Sequence, residues 1–131
     1  MILQVTLCAA AAAGLMIMWL GMRVGRVRMS AQIPHGDAGH PLLVKRMRAQ
    51  ANFVEYTPFV LVLIGAIEVS GRGGQWLTWV AAAYFLARIA HAFGMDDDSA
   101  RNRLRGIGIG ITMLTLLGLS VVAALTAGGA I

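Results

Sequence analysis

Residues 2–22 read ILQVTLCAAAAAGLMIMWLGM, an unbroken run without a charged side chain. A hydrocarbon core roughly 30 Å thick is crossed by about 20 helical residues rising 1.5 Å each. The run therefore has the length of a membrane span. A cleaved leader would carry basic residues ahead of its apolar stretch, whereas the first basic residue here is Arg23. The expectation is a membrane helix that stays in the chain.

The same pattern returns three times, over about residues 49–69, 75–95 and 106–127, the last again free of charge. The joints between blocks are 23–48, SGRGG at 70–74, and DDDSARNRLR at 96–105. The fold class predicted is all-α, an integral membrane four-helix bundle in a single domain, 1–131. Its helices are placed at about 2–22, 42–69, 75–95 and 106–127, with Leu42 onward opening the second one below the membrane. Composition agrees: 58 % of the 131 residues are hydrophobic and 13 % charged, against about a quarter charged in soluble domains. Cys8 is the sole cysteine and lies inside the first block, which excludes an intrachain disulfide.

The chain carries eleven Lys and Arg against six Asp and Glu, a net charge of +5. The basic residues sit in the joints, as membrane-flanking charge does, and do not form the aromatic-basic surface or finger spacing of a nucleic-acid binder. Arg23, Arg26, Arg28, Lys45, Arg46 and Arg48 occupy the first connection, and Arg101, Arg103 and Arg105 the last. Only Arg72 falls on the other side. The positive-inside rule then places both basic connections in the cytoplasm and both termini on the non-cytoplasmic side of a multi-pass protein. Small residues four apart, Ala10 and Gly14, Gly21 and Gly25, and Gly106 and Gly110, are candidates for close helix approach. The charge-free first and last helices are expected to meet lipid or partner chains, and the polar second and third to line the interior.

The second and third blocks carry the chemistry. Lys45, Arg48, Asn52, Glu55 and Phe59 recur at three- and four-residue spacing, which puts them on one helix face. Arg88 and His91 share a face of the third helix with Tyr84. The third helix returns toward the basic side, so Glu55 and Arg88 reach similar depth and are expected to pair. A lone carboxylate in hydrocarbon neutralises or finds a partner. A pair alone would serve to fix helix register, but Arg48, Asn52 and His91 alongside it exceed that need and point to a polar, anionic ligand. Pro58 removes a backbone donor beside Glu55 and is expected to bend or loosen that helix. Asp96, Asp97 and Asp98 are expected to form a small turn, since they lack the spacing of a calcium loop. His35 and His40 are expected to be solvent-exposed in the first connection.

The stretch VKRMRAQANFVEYTPF, residues 44–59, resembles the signature of the membrane-associated proteins in eicosanoid and glutathione metabolism, the MAPEG family. GDAGHPLL at 36–43 and ARIAHAFG at 87–94 look like its companions, and the resemblance covers nearly the whole chain. It implies a bacterial inner membrane protein, a homotrimer with sites between protomers near the cytoplasmic side, and glutathione as co-substrate toward lipophilic small molecules. By the same resemblance Arg48, Asn52 and Glu55 hold the peptide, Glu55 near its amino end, and Arg88 and His91 support the site. Arg103 or Arg105 matches the arginine that stabilises the thiolate, and Arg26 or Arg28 a basic residue ending the first helix. One position departs: Met95 stands where glutathione-using members often carry a tyrosine.

Three readings follow. The chain is a glutathione-dependent transferase or peroxidase of lipophilic electrophiles, a small proton-coupled transporter working through Glu55, or a catalytically silent scaffold or lipid-binding protein. The basic stripe favours an anionic ligand and so the first.

Overall fold

The apolar runs become four α-helices in the computed structural model, which describes residues 2–99 and 102–131. They are α1 (Gln4–Ala31), α2 (Pro41–Val69), α3 (Gln75–Gly94) and α4 (Arg103–Ala127). Each is long and apolar enough to cross a membrane. Arg101 lies outside the described residues. α1 packs on α2 and α3, and α4 packs on the same two helices from the opposite corner. α2 and α3 touch across the diagonal, whereas α1 and α4 make no contact among the described residues.

The core follows the long axis. Val60, Ile64, Leu77, Tyr84 and Leu119 fill one half, Met16, Leu20, Phe53 and Ala92 the next, and Val24, Val27 and Leu43 the basic end. Leu15, Val62, Trp79, Leu114 and Leu117 point outward. Helices apolar on every side belong in lipid or a large core.

α1 does not stop near Met22. It runs to Ala31, about 42 Å in all, longer than a hydrocarbon core of roughly 30 Å is thick. Val24 and Val27 keep an apolar stripe against Leu43, and Arg23, Arg26 and Arg28 therefore ride on a helix. Gln32 ends it in the left-handed region at φ 55°, with the Ile33 N–H on the Arg28 carbonyl. The connection that follows turns through Gly36 and Gly39 at φ 65° and 69°, angles glycine adopts without a Cβ penalty.

Caps explain the remaining ends. His40 is half-buried, and its Nδ1 accepts from the Leu43 N–H at 3.3 Å, with Pro41 in the first helical position. The histidine is thus a cap for α2 and not a free loop side chain. Asn102 caps α4 and starts it at Arg103, ahead of the expected Gly106. α2 continues unbroken through Pro58.

At the opposite end α1 has no local side-chain cap. Glu68 of α2 supplies one, accepting from the Val5 N–H at 2.9 Å, the Thr6 N–H at 2.8 Å and the Thr6 hydroxyl at 2.7 Å. A carboxylate at a helix N-terminus meets both orphan donors and the positive end of the dipole.

The close approaches also fall elsewhere than expected. Gly14, Gly25, Gly106 and Gly110 face open space, and Gly21 meets only the Gln50 side chain. Gly94 and Gly108 carry the tight crossing: a Cβ on Gly94 would lie 2.4 Å from the Arg105 nitrogen, and one on Gly108 2.5 Å from the His91 Cβ. Small residues admit close backbones only where two helices cross, and spacing along one helix does not locate the crossing.

Candidate functional site

Arg88, on α3, is 1 % exposed. Its Nη2 donates to Asn52 Oδ1 at 2.6 Å and its Nη1 to Thr112 Oγ1 at 3.2 Å. The Thr112 hydroxyl donates onward to the Gly108 carbonyl at 2.9 Å. One turn away the Tyr84 and Thr57 hydroxyls share a buried bond of 2.8 Å. These partners are neutral. Arg88 Nε and His91 Nδ1 are buried without a hydrogen-bond partner among the described residues. A guanidinium taken out of water needs an anion or a full set of acceptors, and Arg88 has two neutral oxygens.

The expected partner is turned away. Glu55 is exposed on the outer face of α2, and the expected Glu55–Arg88 pair does not form among the described residues. Arg48 and Phe59 are exposed on the same face, so this stripe does not line the interior. Asn52 is half-buried and drawn inward by Arg88. It sits on the border between the two environments, with Arg88 behind it and Glu55 one turn along.

A recess of about 420 Å³ opens between α1 and α2 on this side, lined by Arg28, Met47, Gln50, Val54 and Glu55 among others. Arg28 is partly engaged. Its Nη1 donates to the Gly36 carbonyl at 2.7 Å and the Ile33 carbonyl at 3.3 Å, and its Nη2 to Met47 Sδ at 3.5 Å. The guanidinium thereby closes the first connection and forms one wall of the recess. Arg103 and Arg105 are exposed at the start of α4 and lie outside this recess. Met95 ends α3 as its C-cap. The chain thus carries Arg28, Gln50 and Glu55 in one place and the α4 arginines in another.

A family model described as the MAPEG family matches residues 6–125. The chain belongs to the MAPEG family. Two Escherichia coli strains each contain a relative called inner membrane protein YecN, 30 % identical over 99 residues, 75 % of this chain and of the relative. The matched span takes in every residue that carried the resemblance, from Arg26 to Arg105. The family match and the four apolar helices together make this an integral membrane protein of the MAPEG type.

Several residues that organise the MAPEG core were not marked by their spacing alone. Thr112 holds Arg88, and its signal was the four-residue step from Gly108, which puts both on the face of α4 that meets α3. Thr57 follows Phe53 by four on the buried side of α2 and meets Tyr84. Arg23 and Arg46, assigned only to membrane orientation, converge on Asp96. Gln50 lines the recess beside Glu55.

Proposed function

We propose that this MAPEG protein is a membrane-bound, glutathione-dependent transferase or peroxidase of lipophilic electrophiles, working as a homotrimer with both termini on the non-cytoplasmic side. The observation that carries the reading is the outward placement of Glu55 near the middle of a helix able to cross the membrane, with Arg48 exposed on the same face two turns before it. A charged group facing hydrocarbon costs several kcal/mol and marks function by default. A neighbouring protomer packed on this face would remove the charges from lipid and leave a polar cleft between chains.

The cleft has the charges that glutathione needs. The peptide carries one ammonium and two carboxylates. Glu55 suits the ammonium, while Arg48 and Arg28 suit the carboxylates through paired N–H donors. Asn52 borders the cleft and Arg88 supplies positive charge behind it, while His91 supports Arg88 from within, buried one turn along α3 against α4. Arg103 and Arg105 lie outside the recess of their own protomer, so an α4 start facing the thiol would come from the neighbour.

A free thiol has a pKa of about 8.5. Lowering it by two units amounts to about 2.7 kcal/mol in favour of the anion, within the reach of one partly desolvated guanidinium. The thiolate then attacks an electrophilic carbon, forming a C–S bond as the leaving group departs or an epoxide opens. With a hydroperoxide it attacks the terminal oxygen, the O–O bond breaks and the alcohol leaves, and the glutathione sulfenic acid so formed condenses with a second glutathione to the disulfide and water. The acceptor enters from the bilayer between helices.

The test is calorimetric titration of the detergent-purified protein with glutathione, beside Glu55→Gln. Saturable binding that weakens sharply in the variant is expected. No heat from a protein that a thermal-shift assay shows to be folded would overturn the reading. Weight would then pass to a proton-coupled transporter, which the absence of any hydrogen bond to Glu55 among the described residues favours, or to a silent scaffold or lipid-binding protein.

A further inference from the structure

Three consecutive acids, Asp96, Asp97 and Asp98, join α3 to α4. Adjacent carboxylates repel, and each here has its own partners. Asp96 accepts from Arg23 Nη2 at 2.5 Å and from Arg46 Nη2 and Nε at 3.2 and 3.4 Å. Asp98 meets Lys45 at 2.5 Å with most of its side chain in solvent. Asp97 accepts from the Ser99 N–H at 2.9 Å, the Ser99 hydroxyl at 3.0 Å and Asn102 Nδ2 at 2.9 Å.

The main donor of the Asp96 node is itself firmly held. Arg23 is 7 % exposed, and its Nη1 is held by the Ala92 carbonyl at 3.0 Å. The guanidinium lies 4.9 Å from the Trp19 ring centre and 5.1 Å from that of Phe93. A guanidinium held by two acceptors and two aromatic rings is restrained in orientation. Arg46 adds a bond to the Arg23 carbonyl at 3.1 Å. α1, α2 and the end of α3 thus meet at one carboxylate.

From there a chain of bonds leads to α4. Asp97 orients Asn102 through its amide, and Asn102 Oδ1 accepts from the Arg105 N–H at 3.0 Å as the helix cap. Arg105 also sits directly on Gly94, where no Cβ fits, and Gly108 sits on His91. A shift of the α4 start is therefore transmitted to Arg105 and His91 together. Arginines in a first helical turn oppose the dipole, so this helix start needs an external hold.

We infer that Asp96 and Asp97 are positioning residues that set the start of α4, and with it Arg103 and Arg105, against the site on α2. The link to the site rests on the glutathione reading above. The placement of α4 does not.

The experiment uses full-length protein with Cys8→Ser, spin labels at Met29 and Leu104, and dilution with unlabelled protein so that pulsed electron resonance reads one protomer. Both label sites are exposed. Asp96→Asn is expected to broaden a narrow distance distribution and to weaken glutathione binding on the order of tenfold to a hundredfold. Asp96→Glu is expected to restore both, which a merely destabilising change would not do. Arg46→Gln removes one donor while Arg23 remains, and should give the same broadening in smaller measure. An unchanged distribution in Asp96→Asn would overturn the inference. Broadening with glutathione affinity intact would overturn the connection to the site. If the parent protein does not bind glutathione, the proposed function fails, and the distances still decide whether Asp96 places α4.

Discussion

α2 carries two carboxylates that differ in every respect except the helix they stand on. Glu68 accepts three hydrogen bonds from the first turn of α1. Glu55, near the middle of the same helix, accepts none among the described residues and looks outward. The first is a structural device complete within the chain. The second is a charge left open among the described residues, which is the condition for binding something else. Arg88 sharpens the contrast, as a buried cation whose partners are neutral.

The largest effect is expected at Glu55. Glu55→Gln should cost about 2–5 kcal/mol of glutathione affinity, the usual loss when one member of a desolvated charge pair is removed. Its thermal midpoint should stay close to that of the parent. Calorimetry and a thermal-shift assay measure the two. Glu68→Ala should do the reverse, lowering stability by about 1–2 kcal/mol through loss of a cap and leaving affinity unchanged. An affinity loss in Glu68→Ala would erase the distinction between the two acids. Thr6→Val should remove one of the three bonds and cost about 1 kcal/mol, with the two backbone donors still held, as denaturant titration in mild detergent would read.

The smallest effect is expected at Asp97. The backbone and hydroxyl of Ser99 and the amide of Asn102 hold its carboxyl below the usual carboxylate range. A depressed carboxylate contributes stability above its unfolded pKa and loses it as pH falls through the folded value. The parent should therefore lose a little more on acidification below the ordinary aspartate range than Asp97→Asn does, measured as thermal midpoints of the two at neutral and acid pH.

The four spans were legible because lipid demands long uncharged runs, and residues 2–22 and 106–127 meet that demand without interruption. The end of α1 was not. Arg23 reads as a charge at the membrane edge, but Trp19, Phe93 and Asp96 bury it, and a partnered arginine does not terminate a helix. The stripe Arg48–Asn52–Glu55 was legible as a face, since spacing fixes which residues share one. Which way that face points depends on the rotation of α2 against its neighbours, a property of packing. Asn52 alone of the three turned inward, because it accepts from Arg88, which is held from the other side by Thr112 on α4. The meeting of Gly94 with Arg105 was hidden for the same reason, since it belongs to the crossing of two helices and not to either sequence alone.

The cap on α1 has a consequence for how the protein is made. Glu68 lies 63 residues downstream of Val5. At about 5–20 residues per second, translation reaches it about 3–13 s after the first turn of α1 has been synthesised. Through that interval the leading helix has an unfinished end. The clasp closes only when α2 has been threaded back alongside it, so the hairpin of α1 and α2, and not the single helix, is the earliest finished piece of the molecule.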